Sequence, residues 1–85
     1  MIMITIKVDG MMCGMCEAHV NDAVRRALPV KKVSSSRVKK ETVILAERDI
    51  EDSQIEAVFK EIGYEFLGII REEVKPRGLS RLFHR

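Results

Sequence analysis

The chain has 85 residues, two of them cysteine, with 46% hydrophobic and 33% charged residues and a formal net charge of +2. That describes one small domain, near the size at which a single core is only marginally sufficient. The charge is too small to point to nucleic acid and no aromatic-and-basic stripe supports that reading. No stretch approaches the roughly 20 apolar residues of a membrane span.

Ile2, Ile4, Ile6 and Val8 alternate with Met3, Thr5, Lys7 and Asp9, the period of two that marks a half-buried strand. Gly10 ends it. Residues 1–8 lack a basic leader and a small-residue cleavage site, so a strand is expected there and not a signal peptide. With no export signal and an unblocked thiol pair, the reducing cytosol is the expected compartment. Further on, Cys16, Val20, Ala23, Val24, Ala27 and Leu28 recur at helical spacing, with Glu17, Asn21, Asp22, Arg25 and Arg26 mainly opposite. Pro29 cannot continue that helix, which should stop near Leu28.

Val30 to Val38 reads as a polar edge strand, with Ser34, Ser35, Ser36 and Arg37 between Val33 and Val38. The flanking Lys31, Lys32, Lys39 and Lys40 discourage pairing with another chain. After a turn around Lys39–Glu41, Thr42 to Ala46 makes a clearer strand. Ser53 and Glu56 have the spacing of a capping box. Ile55, Val58, Phe59 and Ile62 then supply a buried helical stripe, and Gly63 stands where a helix end expects glycine. Phe66 to Ile70 is the final strand. Strand, helix, strand, strand, helix, strand is the ferredoxin-like α+β order βαββαβ, a four-stranded antiparallel sheet with both helices on one face. Residues 1–73 are expected to form this domain. Residues 74–85 are a basic tail carrying Lys75, Arg77, Arg81 and Arg85. Leu79, Leu82 and Phe83 would share one side of a helical turn there, but terminal disorder is the expectation.

Between the first strand and the first helix runs Gly10-Met11-Met12-Cys13-Gly14-Met15-Cys16, which holds both cysteines. Thiolates are soft ligands that favour Cu(I), Zn(II) and related ions. Two sulfurs at this spacing converge on one ion if the first lies in a loop and the second opens a helix. The free N–H groups and positive end of that helix stabilise negative sulfur. The motif therefore reads as a two-thiolate metal site. Buried structural cysteines fit a glycine-flanked loop poorly, and a disulfide across so short a loop would stabilise little. Met12 and Met15 are read as apolar cover for the thiols, although thioether sulfur also suits Cu(I). His19 and His84 are read as surface residues. Arg25 and Arg26, on the cysteine-bearing helix, are better placed for partner contact than the lysines of the edge strand.

The cysteine motif, the helix start Cys16-Glu17-Ala18-His19-Val20 and the later Ile62-Gly63-Tyr64 resemble the heavy-metal-associated domain family over about residues 2–71. That family includes small bacterial copper chaperones and N-terminal modules of metal-exporting P-type ATPases. The resemblance implies that Cys13 and Cys16 bind the ion, that Met11 anchors the loop, and that Tyr64 shields the metal or hydrogen-bonds a sulfur. It implies a non-enzymatic carrier that is monomeric when metal-free. Such a carrier passes Cu(I) by ligand exchange to a metal-transporting P-type ATPase or another Cys-x-x-Cys domain. Two departures stand out: Met12, where the family often has threonine or histidine, and the unusually polar second strand. Zinc usually wants four ligands. Glu17 and His19 are available, but nothing acidic follows Gly10 ahead of Cys13, so Cu(I) is preferred over Zn(II) or Hg(II). The rival readings are a sensor module and a dithiol–disulfide oxidoreductase. The latter lacks the tryptophan usual before a thioredoxin's first cysteine and the proline that abuts its disulfide. No Ser-His-Asp set, carboxylate pair or phosphate-cradling glycine loop is present.

Overall fold

The even-numbered side chains of the first strand, β1 (Ile2–Asp9), are the apolar row on which the fold is built. The computed structural model describes residues 1–10 and 14–73. Ile4, Ile6 and Val8 are fully buried there, in one cluster with side chains from both helices. The first helix, α1 (Gly14–Ala27), contributes Val20, Ala23 and Val24, with Leu28 just beyond it. Ala27, expected in the buried stripe, is exposed. It lines an open groove with Ala23, Val58 and Ile62 because its methyl group is too short to close the gap between the helices.

β2 (Lys32–Ser36) and β3 (Glu41–Ala46) form a hairpin, followed by α2 (Asp52–Glu61) and β4 (Glu65–Glu73). The sheet order is β2-β3-β1-β4, and every neighbouring pair is antiparallel. This is the expected ferredoxin-like arrangement, with β2 at an edge. β2 is shorter than Val30–Val38 because residues 37–40 are spent on the turn, where Lys40 adopts a φ of 55°. β4 is longer than Phe66–Ile70, since pairing with β1 continues to Ile2 opposite Glu73. The face turned away from the helices is mixed. Met3, Thr5 and Val43 are half-buried, Leu45 is buried and Ile70 is exposed.

The expected capping box at Ser53 and Glu56 does not form. The helix starts two residues earlier, with Glu51 at its N-cap in extended backbone and no side-chain cap bond. The Glu51 carbonyl instead accepts from the N–H groups of Gln54 and Ile55, at 3.1 and 3.2 Å. Burial explains the shift. Ile50 and Ile55 stand at the two positions of a hydrophobic staple around that cap, and both lie in the core cluster. Arg71, near the end of β4, holds the same entry. It donates to the Asp49 carboxylate at 2.7 Å and to the Ile50 carbonyl at 2.6 Å, and pairs with Asp52. The bond to Asp49, followed by that to Asp52, raises the pKa of its guanidinium.

The other end of α2 matches expectation. Gly63 takes a φ of 85°. Its N–H donates to Lys60 and that of Tyr64 donates to Phe59, at 3.2 and 3.1 Å, the paired bonds of a Schellman motif. These two helix ends should respond differently to alanine. Ser53→Ala should leave the denaturant midpoint within the equivalent of about 0.5 kcal/mol, as at an ordinary surface position. Gly63→Ala should cost about 1 kcal/mol, because alanine resists a positive φ.

Candidate metal centre

Antiparallel pairing brings three connections to one end of the sheet. The last residues of β1 lie beside the first residues of both β3 and β4, with Lys7 opposite Glu41 and Asp9 opposite Glu65. The end of β1 at Gly10, the β2–β3 turn and the α2–β4 link therefore meet there. Cys16 is the third residue of α1, in its first turn. It is half-buried and packs against the core, one helical step ahead of the fully buried Val20 and two ahead of Val24. The first N–H groups of a helix have no intrahelical acceptor, so this turn favours a thiolate. Met11, Met12 and Cys13 lie outside the described residues, as do His84 and the rest of the tail. Cys13 immediately precedes Gly14, the first residue of α1.

Gly10 and Tyr64 set the base of the segment. Gly10 adopts a φ of 117°, a region that L side chains avoid. Its N–H donates to the Asp9 carboxylate at 2.9 Å. The Tyr64 ring fills the space above it: a Cβ added to Gly10 would lie 2.7 Å from ring atom Cδ1. A shift in register brings the two together. Lys7 is opposite Gly68 but Val8 is opposite Phe66, so Leu67 is an extra, bulged residue. Without the bulge Glu65, and not Tyr64, would come opposite Gly10. Tyr64 is half-buried and packs against the core, which places the ring at the start of the cysteine segment as a supporting wall.

The remaining candidates separate clearly. Met15 is 83% exposed, and His19 is exposed as well. Arg25 and Arg26 lie in the last turn of α1, at the opposite end from Cys16. Glu17 is engaged: its carboxylate accepts the Arg37 backbone N–H at 2.7 Å and faces the Arg37 guanidinium at 3.3 Å. Sequence reading did not foresee this link, because the two residues are twenty positions apart. Among the described residues no group of three or more His, Cys, Asp or Glu side chains gathers to hold a metal.

No protein-family model matches the chain, and no curated protein does. Solved structures do. The chain is 30% identical to the N-terminal domain of ZntA in its apo form, covering 84% of this chain and 92% of that one, with a TM-score of 0.66. It is 28% identical to that domain in its Zn(II) form, over 87% and 96%, with a TM-score of 0.69. The CopZ metallochaperone is 20% identical, over 76% and 98%, with a TM-score of 0.69. A copper-binding domain from HMA7, a P-type ATPase, is 22% identical over 81% and 97%, again at 0.69. These last two likenesses speak for the fold alone.

The close approach at Gly10 carries a prediction. Gly10→Ala combines an unfavourable φ with a ring clash and should cost at least about 2 kcal/mol in denaturant unfolding. Adding Tyr64→Ala should remove the clash but leave the backbone strain. With the cysteine pair ahead of a buried helical stripe, the βαββαβ sheet and the extensive likeness to the ZntA domain, the chain belongs to the heavy-metal-associated domain family.

Proposed function

We propose that this domain is a soft-metal carrier in which Cys13 and Cys16 bind Cu(I) and pass it on by ligand exchange. The partner would be the cysteine pair of a metal-transporting P-type ATPase or of another Cys-x-x-Cys domain. The observation that carries the reading is the place of Cys16, half-buried in the first turn of α1 directly after the Cys13-Gly14-Met15 run. Two thiolates suffice for a low-coordinate soft ion. Its bonds to Arg37 engage the Glu17 carboxylate beside Cys16 and so withhold it from a metal as a third ligand, and His19 is turned to solvent. Both facts favour Cu(I). Incoming sulfurs that reach the bound ion would attack it directly, so transfer can be fast while affinity is high. The carrier is cytosolic, performs no catalytic turnover and is monomeric without metal. Met11 and Met12 would anchor and cover the loop.

One observation favours a second reading. The chain's identity is higher to the ZntA domain, which was also solved with Zn(II), than to the copper-binding domain of HMA7. Under that reading the cargo is Zn(II), with further ligands from water or from a partner.

Anaerobic competition between Cu(I) and Zn(II) on the reduced protein separates the two. One Cu(I) per chain should bind and displace Zn(II), and the Cys13→Ser, Cys16→Ser double variant should lose it with the fold intact. Near-wild-type Cu(I) affinity in that variant would sink the assignment. Cu(I) should also exchange rapidly with another Cys-x-x-Cys domain, while reduction of insulin disulfides should be negligible. Efficient disulfide turnover without metal exchange would favour an oxidoreductase.

Residues 1–73 are proposed to be sufficient for folding and binding, because the described core is complete by Ile69 of β4. Truncation after Glu73 should leave the thermal midpoint and metal affinity close to those of the full chain. A large loss of stability would mean that Leu79, Leu82 and Phe83 dock on the domain.

A further inference from the structure

The polar second strand, Lys-Val-Ser-Ser-Ser, is where the cysteine-bearing helix packs against the sheet. Apolar contact supplies only part of that packing. Thr42, the fully buried polar side chain among the described residues, pairs with Ile6 on the helix-facing side of the sheet. Its hydroxyl lies 3.0 Å from Ser35 Oγ, and Ser35 in turn donates to Asn21 Oδ1 of α1 at 2.7 Å. Ser35 has one hydroxyl proton, so Thr42 must be the donor in the first of these bonds. One helical step before Asn21, on the same face, Glu17 takes the Arg37 backbone N–H at 2.7 Å and its guanidinium at 3.3 Å. Two polar links thus run from α1 to β2 and to the turn beyond it.

Apolar burial is non-directional and tolerates sliding or rotation of a helix. A hydrogen bond has a preferred length and angle. A seam of such bonds along one face sets both the rotation and the axial position of α1, and the link nearest the N-terminus is the one beside Cys16. We propose that Glu17 is a positioning residue for the metal loop. By capturing the Arg37 N–H it fixes the first turn of α1 and hence the Cys16 thiol, with the Asn21–Ser35–Thr42 chain fixing the next turn. The inference rests on the dithiolate reading of Cys13 and Cys16. Sites of this kind need ligand placement to about half an ångström, and this seam supplies it on the Cys16 side.

The test compares Glu17→Ala, Glu17→Gln and Arg37→Ala in the full chain. Amide hydrogen exchange of Arg37 and of Ala18 to Val20 is read in the apo protein. Cu(I) release to a competing chelator is read in the loaded protein, with thermal midpoints alongside. Glu17→Ala should speed both exchange and release about tenfold, the scale of one bond to a charged acceptor. Glu17→Gln keeps an acceptor oxygen and should stay within about twofold of wild type on both readouts. Arg37→Ala keeps the backbone donor and should also stay near wild type. Unchanged Cu(I) release in Glu17→Ala, or equal damage from Gln and Ala, overturns the positioning role while leaving the metal site standing. If the wild-type protein binds no Cu(I), the dithiolate carrier reading fails. Amide exchange in the apo protein then decides the seam by itself, and unchanged protection of Ala18 to Val20 in Glu17→Ala overturns it.

Discussion

Gly10 has no side chain, and the Tyr64 ring occupies the volume that one would take. Much of the functional end depends on that approach. It requires the positive φ at which the chain leaves β1, and it requires the bulge at Leu67 that brings Tyr64 opposite Gly10. It also requires the Schellman turn at Gly63, which redirects the backbone from α2 into β4. A single extra residue in an edge strand therefore decides what stands beside the cysteine segment. Bulges commonly re-aim side chains near functional sites in this way.

The two helices are attached by different means. α2 is held by aliphatic and aromatic burial through Ile55, Val58 and Phe59, and by Arg71 clasping its N-terminal entry. α1 is held by Val20, Val24 and Leu28 on one side and by a polar seam to β2 on the other. The serine-rich strand is thus an adaptation to the helix above it, since a run of valines there would offer Asn21 no partner. The large apolar residues Met15, two positions before Glu17, and Val38, one after Arg37, stay in solvent at 83% and 84% exposure.

Periodicity made most of the architecture legible. The alternation of Ile2 to Val8, the i, i+4 row of Cys16, Val20 and Val24, and the stripe of α2 each record a face that must be buried. A correct sheet order then follows from few topologies. Gly63 was legible for a local reason, because a helix end in the left-handed region selects glycine. The capping box at Ser53 and Glu56 misled for the opposite reason. Its residues and spacing were right, but burial of Ile50 moved the cap to Glu51, and tertiary packing outweighs a side-chain bond of about 1 kcal/mol.

The softness of a thiolate belongs to the residue and the spacing of two cysteines to the chain, so the proposed dithiolate chemistry could be argued without a structure. The contacts around the cysteine segment could not, beyond the place of Tyr64 that the family resemblance implied. Contact between Gly10 and Tyr64, fifty-four positions apart, depends on a register shift at Leu67, and no local pattern announces an extra residue in β4. Glu17 reads as an ordinary solvent-facing acid until the β2–β3 turn presents an N–H to it. The sequence by itself determined the element order, the buried rows and the kind of ion that two thiolates would prefer. Only the tertiary structure decided which distant groups brace the cysteine helix and which stay in solvent, because those choices depend on distances that exist only once the sheet has closed its register.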